Sequence, residues 1–199
     1  MKILNAPCSF SYTVKNSRFL AEIFPCQNQS EARNLLKEQK QKYPDSTHVV
    51  HAFVTGFSKE ISGMSDDGEP SGTAGRPVLD VLKGLDATNI FLTVTRWFGG
   101  TLLGTGGLVK AYSDGAKQVI KSAAEQNLFE EYIQKSDFSF SCDYSMYKTI
   151  KHAMKEFQIW DLQETFLNDV KVSAKISSSQ LQLLKETLKN LSLGKINLL

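Results

Sequence analysis

The residues best suited to chemistry lie in two glycine-rich stretches, each set just ahead of a helix-forming sequence. The first, Ser65-Asp-Asp-Gly-Glu-Pro-Ser-Gly-Thr-Ala-Gly-Arg-Pro77, places Asp66, Asp67 and Glu69 beside Gly72, Thr73, Gly75 and Arg76. The second, Gly99-Gly-Thr-Leu-Leu-Gly-Thr-Gly-Gly107, delivers Thr105, Gly106 and Gly107 to a helix carrying Lys110, with Arg96 just upstream. The free N–H groups of a helix start carry roughly half a positive charge and suit a phosphate or carboxylate. Two such starts, flanked by Arg76, Arg96 and Lys110, predict a polyanion site in which Asp66, Asp67 and Glu69 orient the arginines. The competing reading is a tight packing corner, since glycine also permits positive φ and close backbone approach.

Other chemistries find less support. A P-loop ends in Gly-Lys-Ser/Thr, and a dinucleotide fingerprint needs glycine where Val109 stands, so neither stretch is an ordinary nucleotide loop. Asp66, Asp67 and Glu69 lack the alternating spacing of a calcium loop and read as solvated or arginine-paired carboxylates. His48 and His51 stand at i and i+3 of a strand and face opposite sides, which disfavours a shared zinc. No nucleophile elbow, Cys-His signature or HExxH appears, so no catalytic residue, metal or cofactor is assigned. On the helix after Tyr144, Lys148, Lys151, His152 and Lys155 form a basic stripe, readable as a solvated face or as a contact to an RNA backbone.

The elements that must position these residues follow from periodicity. Ser9–Val14 and Arg18–Phe24 read as a hairpin, Ser30–Tyr43 as a serine-capped helix, Thr47–Phe57 as a strand, Pro77–Gly84 as a short helix, Asn89–Trp97 as a buried strand and Leu108–Gln126 as a helix. Glu130-Glu131 reads as a linker. Beyond it the order is strand 136–142, helix 144–157, strands 159–166 and 168–176, a capping box at Ser177–Gln180 with a helix to Leu191, and a last strand at 196–199. That βαββαβ order predicts a ferredoxin-like sandwich. The fold class is therefore α+β in two domains, 1–130 and 131–199.

Composition sets the outer limits. Of 199 residues 41% are hydrophobic, enough for a sizeable core, and the longest apolar runs are too short for a membrane span. The opening residues lack a signal-peptide pattern, so a cytoplasmic protein is expected. Lys+Arg against Asp+Glu is 14 to 13 over residues 1–130 and 9 to 8 over 131–199, so nucleic-acid binding would need a local patch. Cys8, Cys26 and Cys142 lack disulfide or zinc spacing.

Residues 65–77 together with Val94-Thr-Arg-Trp-Phe-Gly-Gly100 and Leu103-Gly-Thr-Gly-Gly-Leu-Val-Lys-Ala-Tyr112 resemble the IMPACT/YigZ family. Lys15-Asn-Ser-Arg-Phe19, Thr47-His48 and Asp143-Tyr-Ser-Met-Tyr147 extend the resemblance over nearly the whole chain. It implies an N-terminal domain like domain IV of elongation factor G, a ribosomal-protein-like fold, and a C-terminal domain like domain V of that factor. It also implies a role in translational control, with RNA, the ribosome or a translation-control protein as partner. The sequence departs from the family at Leu102, where lysine is usual, at Lys110, where arginine is usual, and at His51, where an aromatic is usual. The first two changes remove a loop charge and a bidentate donor. Two alternatives stay open, a pure protein-interaction module and a small-molecule phosphate-handling enzyme.

Overall fold

The computed structural model describes residues 1–196 and 198, and the chain divides into two compact units, Met1–Tyr132 and Ile133–Leu199. The first runs β1 (Lys2–Leu4), β2 (Cys8–Val14), β3 (Ser17–Pro25), α1 (Gln29–Lys42), β4 (His48–Thr55), β5 (Ile61–Ser65), α2 (Gly75–Gly84), β6 (Ala87–Thr88), β7 (Ile90–Trp97), α3 (Thr105–Glu125) and β8 (Phe129–Glu131). Its main sheet is five-stranded and antiparallel, in the order β2-β3-β7-β4-β5. The hairpin between β2 and β3 turns on Lys15 and Asn16, both at positive φ, the geometry that matches strand twist.

Period-2 alternation decides what each face of the sheet meets. Phe19, Ala21 and Ile23 of β3, Val50, Ala52 and Val54 of β4, and Ile90, Leu92 and Val94 of β7 join one core with Val78 and Leu82 of α2 and Leu108, Tyr112, Ala116 and Val119 of α3. On the opposite face Phe53 and Phe91 pack with Ala32, Leu35 and Leu36 of α1. The first unit thus layers α1, then sheet, then α2 with α3. A small second sheet, β6-β1-β8, joins β1 to β6 in parallel and to β8 antiparallel.

Several expectations change here. Ile61–Ser65, for which the sequence carried no expectation, forms a strand paired with β4. Helix α1 is capped by Asn28, whose Oδ1 accepts the Glu31 N–H at 3.0 Å, and not by Ser30. Glu130 and Glu131 are no linker, being paired to Ile3 and Lys2.

The second unit runs β9 (Lys135–Cys142), α4 (Tyr144–Met154), β10 (Ile159–Phe166), β11 (Val170–Ser177), a 3-10 turn (Ser178–Gln180) and α5 (Leu181–Leu191). Its antiparallel sheet has the order β10-β11-β9. Phe138, Phe140, Val170, Val172 and Ile176 pack against Ile150, Met154, Leu184 and Leu188. The expected capping box is replaced by the 3-10 turn, which makes no side-chain cap bond. The expected fourth strand is absent among the described residues: Ile196 is buried in the core outside any strand, while Asn197 and Leu199 lie outside the described residues. All three cysteines are buried free thiols. Burial, helped by the Glu31 charge, pushes Cys26 up to about 11, and burial also raises Cys142.

Candidate functional site

Arg96 stands where the alternation of β7 would place an apolar residue. Ile90, Leu92 and Val94 face the helices, and Arg96 continues that phase, 5% exposed. A guanidinium there requires a partner, because an unpaired buried charge is very costly. Glu69 supplies it from the β5–α2 loop, its Oε1 accepting from Arg96 Nη1 at 2.6 Å with both side chains nearly inaccessible. The same oxygen accepts from the Tyr112 hydroxyl of α3 at 2.8 Å, and Arg96 Nη2 reaches Ser17 Oγ at 3.3 Å. Burial, then the Glu69 charge, raise the Tyr112 hydroxyl well above its ordinary value, so it remains a donor. Two strands, β7 and β3, one loop and one helix are thus tied together through the Glu69–Arg96 pair.

His48 sits directly across from Arg96 in the β4–β7 register. Its Nδ1 lies 2.8 Å from the Asp67 carbonyl, which can only accept, so Nδ1 carries the proton. Nε2 then points toward Glu69, 3.8 Å from Oε1. His51 faces the other side of the sheet, near the Phe91 ring.

The two aspartates do not orient arginines, contrary to the expectation from the sequence. Asp66 folds back on the start of α2: its carboxylate accepts from the N–H groups of Gly72 at 2.9 Å, Ala74 at 3.0 Å and Gly75 at 2.8 Å. Burial raises its pKa, but these three bonds outweigh burial and hold the carboxyl below its ordinary range. Asp67 accepts from Lys40 Nζ at 2.5 Å and from the Val49 N–H at 2.7 Å, and these bonds likewise overcome burial to lower its pKa. The start of α2 is therefore already occupied by the protein's own anion. Gly75 is required there, since a Cβ would lie 2.7 Å from the Ser65 carbonyl. Thr73 donates to the Pro70 carbonyl at 2.6 Å.

The start of α3 is different. Its N-cap is Gly104 at φ 73°, with no side-chain cap, and Thr105 and Gly106 are exposed. Beside it lies a cleft of about 400 Å³ lined by His48, Glu69, Arg96, Phe98, Leu103 and Thr105, among others. Leu102, 82% exposed, forms part of its rim. Of the residues singled out in the sequence, His48, Glu69, Arg96 and Thr105 line this cleft, with Gly106 and Gly107 following on α3. Lys110 is exposed and paired with Asp114 at 2.9 Å, one turn along α3. Arg76 is separate: it pairs with Asp80 at 2.8 Å and, with Gly72, lines a different groove between α2 and α3. In the second unit Lys148, Lys151 and Lys155 border one surface depression, where Lys151 donates to Tyr147 and Glu164, each at 2.9 Å. Among the described residues no three His, Cys, Asp or Glu side chains group as a metal site.

The Impact N-terminal domain model matches residues 15–120, the span that holds both glycine-rich loops and the Arg96 network. The chain belongs to the IMPACT family. An IMPACT family member from Haemophilus influenzae is 32% identical over 94% of this chain and 90% of its own length. YvyE, the IMPACT family member from Bacillus subtilis, is 30% identical over 92% of this chain and 82% of its own. A solved structure described as a hypothetical protein is 28% identical with a TM-score of 0.71, covering 100% of this chain and 95% of that one.

Within this IMPACT chain, sequence reasoning missed Tyr112, Ser17 and Lys40. Tyr112 sits on the buried stripe of α3 with Leu108, Ala111 and Ala116, and nothing local marks its hydroxyl as reaching the β5–α2 loop. Arg96 was expected on a polyanion-binding face and is buried instead; the signal for this was its place in the alternation of Ile90, Leu92 and Val94.

Proposed function

We propose that this protein is a non-enzymatic, cytoplasmic factor of translation or stress control that binds RNA or the ribosome at the exposed start of α3. The observation carrying this reading is the contrast between two helix starts in one domain. Asp66 fills that of α2, whereas Thr105, Gly106 and Gly107 of α3 meet solvent beside a cleft walled by Phe98 and Leu103. Lys110, 79% exposed, adds a cation one turn along. Arg96 acts as a positioning residue, its charge balanced by Glu69, and holds the β7 end against α3. The family resemblance supports the translational setting and the likeness of the first unit to domain IV of elongation factor G.

A protein-interaction reading is favoured by one feature, the exposed apolar pair Phe98 and Leu102 at the cleft mouth. The phosphate-handling enzyme loses its metal donors, since Asp66, Asp67 and Glu69 hold a helix start, Lys40 and Arg96 respectively.

Binding of fluorescein-labelled single-stranded RNA and of purified ribosomes, measured at two or more salt concentrations, tests the reading. A log-affinity against log-salt slope of about −1 to −2 is expected, with Lys110→Ala reducing it by roughly 0.7. Lys59→Ala serves as control, because Lys59 bonds the carbonyls of Leu82 and Lys83 at the far end of α2. Salt-independent capture of ribosomes, lost with Leu102→Ser but not Lys110→Ala, would favour the protein-interaction reading.

A further inference from the structure

The outer surface of α2 and α3 carries a second feature, separate from the cleft. Between the two helices runs a groove of about 820 Å³. Pro77 and Val81 of α2, with Leu85 just past its end, line one wall, and Val109, Ile120 and Ala124 of α3 the other. Val81, Leu85 and Ile120 pack partly on the core and turn their remaining surface to the groove, while Val109 and Ala124 are exposed. From Val109 to Ala124 the α3 wall is about 22 Å long, roughly four turns of helix. Arg76, Lys117 and Lys121 stand along the groove with one lining carboxylate, Asp80, which Arg76 engages; Lys121 lies 3.8 Å from Glu125, outside the lining, and Lys117 adds the excess positive charge.

We infer that this groove docks an acidic amphipathic helix of a partner protein, its apolar face on Val81, Leu85, Val109 and Ile120 and its carboxylates toward Lys117, Lys121 and Arg76. Both walls are helices, whose backbone groups are spent internally, so no strand edge is offered for pairing. An occupant must satisfy its own backbone, as a helix does. RNA fits poorly, because no aromatic side chain lines the groove to stack a base. A second copy of this chain would bring the same cations face to face, which disfavours self-docking.

The test uses the full-length protein and a labelled synthetic helix of roughly 16 residues, about the length of the groove. It bears leucines at i, i+3, i+4 and i+7 with glutamates on both flanks. Its controls are a twin with lysine for glutamate and a proline-broken version. Fluorescence anisotropy should show saturable binding of the glutamate helix, at least about tenfold tighter than either control, weakening as salt rises. Val109→Asp, at a position 39% exposed where the fold tolerates charge, should abolish it. Lys117→Glu should weaken it about threefold to tenfold with thermal stability unchanged. The inference is overturned by absence of saturable binding, by equal binding of the lysine twin, or by retention of binding in Val109→Asp. Displacement of the helix by single-stranded RNA with the potency of unlabelled peptide would overturn it in favour of a nucleic-acid groove. Concentration-dependent dimerisation lost in Val109→Asp would assign the groove to a second copy.

Discussion

Arg96 and Glu69 meet at 2.6 Å with their side chains only 6% and 4% exposed, and the Tyr112 and Ser17 bonds attach to one partner each. The pair joins β7 to the loop that starts α2, and Tyr112 fastens α3 to the same oxygen. Removing one partner strands a buried charge, which costs about 3–5 kcal/mol. Urea unfolding of Glu69→Ala and of Arg96→Ala should each show a loss of that size. The double variant should lose less than the sum, with a coupling of about 2–3 kcal/mol. Additive losses would mean the pair is not a unit.

Acid should weaken the first unit through Asp66 and Asp67. Both carboxyls are held below the ordinary value of 3.8 in the folded chain. As pH falls below that value the unfolded chain binds the extra protons first, so stability declines through the lower folded-state values; well above it, the contribution is complete. Asp66→Asn should flatten this acid limb in a pH series of melts. Asp66→Ala should cost about 1–2 kcal/mol at neutral pH, through loss of the helix-start acceptor.

Gly99 and Gly106 belong to one glycine-rich stretch but should respond oppositely to alanine. A Cβ on Gly99 would lie 2.1 Å from the Asn16 carbonyl, whereas one on Gly106 meets nothing within 4 Å. Gly99→Ala should lower stability by about 1–3 kcal/mol, as overpacking does. Gly106→Ala should be neutral or stabilise by up to about 1 kcal/mol, from helix propensity. Differential scanning fluorimetry separates the two.

The second unit has a core of its own, in which Phe138, Phe140, Val172 and Ile176 meet Ile150 and Leu188. A fragment beginning at Ile133 should therefore unfold cooperatively in urea. A non-cooperative, featureless transition would show that its stability depends on the first unit.

The elements that position the site were largely legible, for identifiable reasons. The apolar run at Asn89–Trp97 marked β7 as a buried strand, and Pro77 and Gly84 bounded α2, whereas α1 is capped by Asn28 instead of Ser30 and α3 begins at Thr105, three residues ahead of Leu108. β1, β6 and β8 were not legible, because two or three residues of strand carry no periodicity and form only when distant segments pair. In the site, the close approach of glycine to backbone was readable from composition, and a carboxylate partner for Arg96 was expected, but as an aid to holding phosphate and not as the balance of a buried charge. The duties of Asp66 and Asp67 were not. Adjacent aspartates look equivalent in a sequence, yet Asp67 takes a positive φ of 44° and turns its carboxylate to Lys40 and Val49 while Asp66 turns to α2.

The buried thiols give each unit a built-in clock. Cys26 lies beneath α1 in the first unit and Cys142 at the end of β9 in the second, both kept protonated by burial. A disulfide reagent attacks only thiolate, so at neutral pH each reacts when its surroundings open and scarcely before. In a Cys8→Ala background the rates of modification at Cys26 and Cys142 would read the opening of the two units separately in one sample. A bound partner would then reveal which unit it grips by the clock it slows.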